Sequence, residues 1–339
     1  MPNIPTCHRD ASIDEKVAFL QRPETYPTRP ARVEVIETHM SWVFLTDEFV
    51  YKLKKPVRYE FLDFGTIEAR RLNCLREVEL NQRLAADVYR GIAPLTTRGD
   101  GSLQLGGPGT VLDWVVQMRR LPADRMLDAA IRARTVRPDD IRNLSRVLTD
   151  FYQGAAPVAM SADDYRQHFA ADIGHNQAEL SKARYGLTIA SIDQLATSQH
   201  RFLQRHGDLI EQRARNGKIV DAHGDLRPEH ICLTPEPRII DCLEFNRDFR
   251  LLDPVDELSY LAMECERAGS AAIGAQILKQ YLESASEVVP PMLVGFYKTF
   301  RAFLRARIAI LHIADDEVQD VEKWRQRAND YLQLAESYA

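Results

Sequence analysis

One short stretch, residues 220–245, holds the side chains best suited to chemistry. His223, Asp225 and His230 follow one short apolar run, and Asp241 follows another. Short apolar runs bounded by proline and charge are typical of buried strands. The stretch therefore predicts a loop that carries two histidines and a carboxylate, with a second carboxylate at the end of a later strand.

Two carboxylates so placed match what phosphoryl transfer requires. One must accept or orient the proton of the attacking hydroxyl group, and the other must help to hold Mg²⁺ against the nucleotide phosphates. Protein kinases supply them as His-x-Asp, an Asn five residues after that Asp, and the Asp of a later turn. His223 and Asp225 fit the first part of this pattern, as catalytic candidates. Asp241 fits the last part, as the principal metal ligand.

The position of the kinase Asn is occupied here by His230. Imidazole nitrogen is a poor substitute for an amide oxygen, because Mg²⁺ prefers oxygen ligands. His230 thus stays in the candidate metal set as a departure from the pattern. The second metal site is expected to be lost, to move to Glu244 or Asn246, or to be replaced by a bridging water.

The His-Gly-Asp form of the triplet resembles the aminoglycoside phosphotransferase-like, or choline kinase-like, branch of the protein kinase fold. Three further runs, residues 37–46, 50–56 and 61–64, are similar to a subgroup of uncharacterised bacterial proteins in that branch. The resemblance covers roughly residues 15 to 315. It implies an α+β, two-lobed fold with a small antiparallel-sheet N-lobe and a mainly helical C-lobe, and it leaves the substrate open because fold does not fix function.

The pattern of apolar runs and prolines divides the chain into three parts. Residues 1–30 form a helical lead-in, in which Asp10 or Ser12 would cap a short helix. Residues 31–121 form the N-lobe. Residues 122–339 form the mainly helical C-lobe, which would carry the catalytic and metal-binding loops.

The resemblance assigns nucleotide-binding roles in the N-lobe. A strand lysine would contact the α- and β-phosphates, and Lys52 is favoured over Lys54, which shares its strand face. A glutamate of the following helix would orient that lysine, and Glu77 is favoured over Glu79.

Two further N-lobe segments would contact the nucleotide. In the absence of a glycine-rich loop, Thr38 and Ser41 would cover the phosphates with hydroxyl and backbone N–H groups. The backbone of a hinge that includes Gln117 and Met118 would bind the adenine edge.

The C-lobe offers one bracing group and two weak substrate candidates. By resemblance, Asp256 would accept hydrogen bonds from the catalytic-loop backbone, or it would simply cap a helix. Arg301 and Arg305 share one face of a helix. Either they form ion pairs with buried carboxylates or they meet an anionic substrate.

Composition limits the classes of function. The chain has 339 residues, of which 45% are hydrophobic and 27% charged, and its formal net charge is −5. This is typical of a globular protein and argues against non-specific nucleic-acid binding. Five cysteines without a Cys-x-x-Cys pair, no evident secretory leader and no membrane-length apolar run predict a cytoplasmic protein with reduced thiols and no membrane partner.

The leading hypothesis is an ATP- and Mg²⁺-dependent phosphotransferase that acts on an alcohol group of a small molecule. One alternative is a nucleotide-binding module without turnover, which His230 and the missing glycine loop favour. Another is nucleotidyl (AMP) transfer in the same cleft. Retention of Lys52, Asp225 and Asp241 together favours the kinase.

Overall fold

The computed structural model describes residues 11–59, 62–314 and 320–339, so residues 1–10 of the predicted lead-in lie outside the described part. The strands, in chain order, are β1 (Glu34–Glu37), β2 (Ser41–Leu45), β3 (Phe49–Lys54), β4 (Arg58–Tyr59), β5 (Leu62–Asp63), β6 (Tyr89–Thr97), β7 (Leu103–Leu105), β8 (Thr110–Arg119), β9 (Val220–Asp221), β10 (Ile231–Cys232), β11 (Arg238–Ile239) and β12 (Leu251–Leu252).

Helices make up most of the remainder of the described chain. They are α1 (Ile13–Leu20), α2 (Ile67–Ala85), α3 (Leu127–Ala133), α4 (Pro138–Gly154), α5 (Ala162–Leu180), α6 (Ile189–Arg215), α7 (Pro254–Arg267), α8 (Ala271–Ser284), α9 (Pro291–Leu311) and α10 (Val321–Tyr338). Among these helices, none combines the length and the apolar character that a membrane span requires.

The chain forms two compact units. One contains residues up to 123 together with 238–246, and the other contains the rest. We predicted that residues 238–246 belong to the C-lobe, whereas their contacts group them with the first unit. The reason is local: Asp241 N–H donates to the Tyr89 hydroxyl at 3.1 Å, and Cys242 N–H donates to Asn81 Oδ1 at 2.8 Å.

The first unit is built on a six-stranded antiparallel sheet in the order β1-β2-β3-β8-β6-β7. Strand side chains alternate between the two faces, so each face has its own core. Tyr51 and Leu53 pack with Val17 and Leu20 of α1. Val116 and Met118 pack with α2 residues on the opposite face. The α+β class predicted from the sequence is confirmed.

The second unit is mainly helical and encloses α7. Every residue of α7 from Pro254 to Cys265 is buried, and the helix packs against α8 and α9. A helix that is buried on all sides leaves no solvent-facing side for charges, so its acidic residues must be paired within the protein. One of these acids, Glu257, accepts hydrogen bonds from the backbone of the loop at residues 222–230.

Candidate active site

The first unit gathers two lysines and three carboxylates into one group, which we call the lysine cluster: Lys52, Lys54, Glu77, Asp241 and Glu244. The two lysines lie two residues apart on β3, so both face α2, the helix that carries Glu77. Lys52 Nζ lies 3.0 Å from Glu77 Oε1 and 2.9 Å from Asp241 Oδ1. Lys54 Nζ lies 2.6 Å from Glu77 Oε2 and 2.6 Å from Glu244 Oε1. One glutamate therefore positions both lysines.

Burial distinguishes the two lysines. The Lys54 side chain is 1% exposed and the Lys52 side chain 15% exposed, while Asp241 beside Lys52 is 45% exposed. Burial alone would lower the pKa of Lys52, but Asp241 and Glu77 hold that pKa well above its usual value. Lys52 is thus a charged ammonium group beside an accessible carboxylate, whereas Lys54 is enclosed.

Glu77, favoured from the sequence as the orienting residue, is the glutamate in contact with the lysines. Burial would raise its pKa, but Lys52 and Lys54 lower it, so it is a carboxylate. Its rival Glu79 is exposed and pairs with Arg76 at 2.8 Å.

Asp241 has the chemistry of a Mg²⁺ ligand. Its oxygens are hard donors, its side chain is accessible, and its φ of 61° is uncommon for a residue other than glycine and is typical of functional sites. The five charges of the lysine cluster, two positive and three negative, leave a formal excess of one negative charge. A divalent cation therefore fits Asp241, while Glu244 is paired with Lys54.

Within the described residues, no group of three His, Cys, Asp or Glu side chains is arranged to hold a metal ion. In nucleotide enzymes, Mg²⁺ is usually held by one or two carboxylates together with phosphate oxygens and water. The metal ligands named from the sequence stay predictions.

Thr38 and Ser41 close the turn between β1 and β2. The Thr38 hydroxyl accepts from the Ser41 N–H at 3.0 Å and donates to the Ser41 carbonyl at 2.9 Å. Their predicted role as a phosphate cover stays a prediction, and their hydroxyl and backbone groups serve the turn itself.

The residues predicted as the hinge lie inside a strand. Gln117 and Met118 lie within β8 and pair with β3 on one side and β6 on the other. Their backbone is thus part of the sheet, and its contact with an adenine edge stays a prediction. Arg120 N–H donates to the Glu48 carbonyl at 2.7 Å just after the end of β8.

The catalytic loop of the second unit, residues 222–230, starts from a fixed strand. Asp221 at the end of β9 pairs with the fully buried Arg250, at 2.8 Å between Oδ1 and Nε. Gly224 has a φ of 89°, a conformation that side chains with a Cβ rarely adopt. The loop thus requires the glycine of its His-Gly-Asp triplet.

Glu257, the residue after Asp256, braces this loop. Its carboxylate accepts from the N–H groups of His223, at 3.1 Å, and Gly224, at 2.5 Å, and from the Tyr152 hydroxyl at 2.7 Å. Asp256, predicted for this role, instead accepts two hydrogen bonds from Arg301. The prediction was wrong by one position. Because α7 begins after its N-cap residue Asp253, the side chain of Glu257, and not that of Asp256, lies next to the loop.

Asp225 is held by two side chains. Its Oδ1 accepts from the Tyr260 hydroxyl at 2.9 Å, and its Oδ2 lies 2.9 Å from Arg227 Nη2. Burial would raise the pKa of Asp225, but Arg227, with smaller contributions from His230, Arg305 and the Tyr260 hydroxyl, holds that pKa well below its usual value. Asp225 is therefore an ionised, oriented hydrogen-bond acceptor.

The two histidines of the triplet region support the loop. His223 is buried, and its Nδ1 accepts from Asp225 N–H at 3.3 Å. His230 Nδ1 lies 2.8 Å from the Asp225 carbonyl oxygen, and its Nε2 lies 3.1 Å from Arg227 Nη2. His223 thus helps to position the loop, and its predicted catalytic role stays a prediction, while both ring nitrogens of His230 are engaged within the loop.

The two α9 arginines lie next to acidic residues of α7. Arg301 forms a buried two-point pair with Asp256, at 2.8 and 2.5 Å, which is the structural alternative left open by the sequence. Arg305 lies 3.7 Å from Glu264 and over the Tyr331 ring. Their role as substrate contacts stays a prediction.

Sequence reasoning assigned no role to Arg227, Glu257 or Tyr260. Arg227 stands two residues after Asp225, where a charge in a loop has no periodic signal. Glu257 and Tyr260 are three apart on α7 and so share a face. The available signal for Glu257 was an acid within the mostly apolar run 254–265, because an acid buried in such a run must find a partner.

Three solved structures that match this architecture are an aminoglycoside phosphotransferase, a choline kinase and a choline/ethanolamine kinase family protein. Aminoglycoside 2′-phosphotransferase-IIIa, in its GDP complex, matches with a TM-score of 0.59 and 16% identity over 96% of this chain and 99% of that chain. The choline kinase LicA from Streptococcus pneumoniae matches with a TM-score of 0.52 and 15% identity, over 95% of this chain and 97% of that chain. A choline/ethanolamine kinase family protein from Mesorhizobium loti matches with a TM-score of 0.53 and 15% identity, over 96% of this chain and 94% of that chain. This chain has their fold. The resemblance found in the sequence is thereby confirmed at the level of the fold.

Sequence relatives carry no functional description. An uncharacterised protein of Mycobacterium tuberculosis and one of Mycobacterium bovis are each 33% identical over 286 residues, which is 81% of this chain and 54% of theirs. The chain thus spans about half the length of the relatives it matches. No protein-family model matches it.

Proposed function

We propose that this protein is an ATP-dependent phosphotransferase that moves the γ-phosphoryl group to a hydroxyl of a small molecule. The observation that carries the proposal is Lys52, which lies 3.0 Å from Glu77 and 2.9 Å from Asp241. A lysine oriented by a helix glutamate, beside an accessible carboxylate, is the arrangement that nucleotide phosphates require on this fold.

The side chains divide the work between binding and chemistry. Lys52 binds phosphate oxygens and Glu77 positions it. Asp241 holds Mg²⁺, which neutralises phosphate charge when bound. Asp225 accepts the proton of the acceptor hydroxyl at its carboxylate, while Tyr260 and Arg227 fix the orientation of that carboxylate. Such positioning and charge stabilisation account for most of the catalysis of phosphoryl transfer.

The test is the fate of ATP. The protein and its Asp225→Asn variant are each incubated with Mg·ATP and a bacterial small-molecule extract, and nucleotides and new phosphorylated species are followed by mass spectrometry. We expect ADP and a phosphorylated product that the variant does not form.

Two other results would replace the proposal. A product that carries AMP would identify nucleotidyl transfer. ATP binding without any turnover in extracts from several bacteria would identify a nucleotide-binding module, the alternative that His230 favours.

A further inference from the structure

Arg227 is an arginine with a fixed position beside the proposed catalytic carboxylate. Its Nη2 lies 2.9 Å from Asp225 Oδ2 and 3.1 Å from His230 Nε2, and its Nη1 lies 2.5 Å from Glu229 Oε1. The Arg227 side chain is 15% exposed. Three residues thus hold one guanidinium group in a single place.

The tautomer of His230 follows from its partners. A backbone carbonyl only accepts, so the nitrogen 2.8 Å from the Asp225 carbonyl, Nδ1, carries the proton. A guanidinium only donates, so the nitrogen facing Arg227, Nε2, is the one with the lone pair. In this arrangement the lone pair of His230 Nε2 faces a protein cation.

This arrangement does not fit a metal ligand at position 230. The nitrogen that could coordinate an ion accepts from Arg227, and Mg²⁺ would have to displace a guanidinium and then accept nitrogen in place of oxygen. Arg227 itself would repel a divalent cation next to it. Asp241, in the other unit, fits such an ion.

We propose that Arg227 supplies, beside Asp225, the positive charge that a second divalent ion would otherwise supply, so that the protein binds one divalent ion per nucleotide. The inference rests on the proposed phosphotransfer. A guanidinium presents several donors to phosphate oxygens. The Nε–H of Arg227 is buried and donates to no acceptor among the residues that the structure describes.

The chemical step balances without any further reactant. The acceptor oxygen forms a bond to the γ-phosphorus while the bond from that phosphorus to the β–γ bridging oxygen breaks. The electron pair leaves with ADP, and the hydroxyl proton passes to the Asp225 carboxylate. Arg227 stabilises the charge on the oxygens of the transferred group, as arginine does in other phosphoryl transfers.

The experiment counts bound metal and needs no acceptor. Mn²⁺ is titrated into the protein with limiting adenylyl imidodiphosphate, a non-hydrolysable ATP analogue, and free Mn²⁺ is measured by electron paramagnetic resonance. We expect one Mn²⁺ per bound nucleotide for the natural protein. The double variant Arg227→Ala/His230→Asn, which removes the guanidinium and provides an amide oxygen, is expected to bind two.

A matched control keeps the charge. Arg227→Lys/His230→Asn has the same amide and a cation, and we expect it to bind one Mn²⁺. Two Mn²⁺ ions in the natural protein would overturn the inference without any variant and would leave the proposed function standing. A count of one in the folded double variant, checked by circular dichroism, would also overturn it. Absence of any nucleotide binding would instead overturn the proposed function, and the inference with it.

Discussion

The lysine cluster and the catalytic loop obtain positive charge in different ways. In the lysine cluster, two ammonium groups face three carboxylates, and Asp241 remains 45% exposed. In the catalytic loop, Arg227 lies between two carboxylates, at 2.9 Å from Asp225 and 2.5 Å from Glu229, and the Asp225 side chain is only 26% exposed. The two regions thus differ in the accessibility of their carboxylates, and we propose that a divalent cation binds at Asp241 and not at Asp225.

The two regions also differ in how they are assembled. Lys54 and Glu244 are separated by 190 positions in the chain, so the lysine cluster exists only when the first unit is folded. Asp225, Arg227 and His230 lie within six consecutive residues, and their loop is braced from outside by Glu257. Loss of a buried ion pair in the cluster should therefore lower the stability of the unit, whereas damage to the loop should mainly affect turnover.

The largest effect is expected for Glu77→Gln. This change leaves the buried Lys54 and the half-buried Lys52 without their shared carboxylate, and breaking a buried ion pair typically costs about 3–5 kcal/mol. Urea unfolding monitored by circular dichroism measures it. The control is Glu79→Gln on the same helix, where the exposed pair with Arg76 is worth less than about 1 kcal/mol. Equal losses in the two variants would contradict the assignment of Glu77.

Replacement of each lysine by methionine should show which lysine contributes more to stability and which contributes more to ATP binding. Lys54→Met is expected to reduce the free energy of unfolding by about 1–3 kcal/mol, since Glu77 and Glu244 lose a buried partner. Lys52→Met should cost less stability but weaken ATP binding more, because Lys52 is the accessible lysine. Urea unfolding and ATP titration calorimetry give the two quantities. If Lys54→Met weakened ATP binding more, Lys54 would be the phosphate ligand.

The brace of the catalytic loop should act on turnover alone. Glu257→Gln replaces a carboxylate that accepts from two loop N–H groups, and we expect kcat for ADP formation to fall about tenfold or more, as for about 1.4 kcal/mol of lost positioning. The Kd for ATP should not change, because the lysine cluster is untouched. Glu283→Gln, on the exposed face of α8, is the matched control. A parallel rise in the Kd for ATP would mean that Glu257 supports the fold as a whole.

The smallest effect is a pH dependence. The pKa of Asp225 is lowered in the folded state, so its ion pair stabilises the protein above the unfolded pKa, about 3.9. That contribution is lost as pH falls through the folded pKa. Asp225→Asn should thus be less stable than the natural protein at pH 7, with a difference in unfolding free energy that narrows at pH 3 and below. A constant difference would show that Asp225 is not ionised in an ion pair.

Sequence patterns located most of this chemistry but not its partners. The spacing of His223, Asp225 and Asp241 indicated two carboxylates, and two-residue periodicity placed both lysines on one strand face. Periodicity could not decide between Asp256 and Glu257, since that depends on which residue caps α7.

Contacts between residues that are distant in the chain could not be predicted from the sequence, for a physical reason. The pairing of Lys54 with Glu244 joins positions that no local pattern relates, and it is decided only when the sheet and α2 pack. Arg227 was visible as a charge, but its partners depend on a loop conformation that Gly224 and Glu257 determine.

The most direct test of the division between the two regions is Mg·ATP binding, measured by titration calorimetry with and without Mg²⁺, in Asp241→Asn and Asp225→Asn. We predict that Asp241→Asn loses the gain in ATP affinity that Mg²⁺ provides. Asp225→Asn should keep that gain, although it forms no product. An unchanged gain in Asp241→Asn would contradict the account, because the lysine cluster would then not be the site that receives the cation.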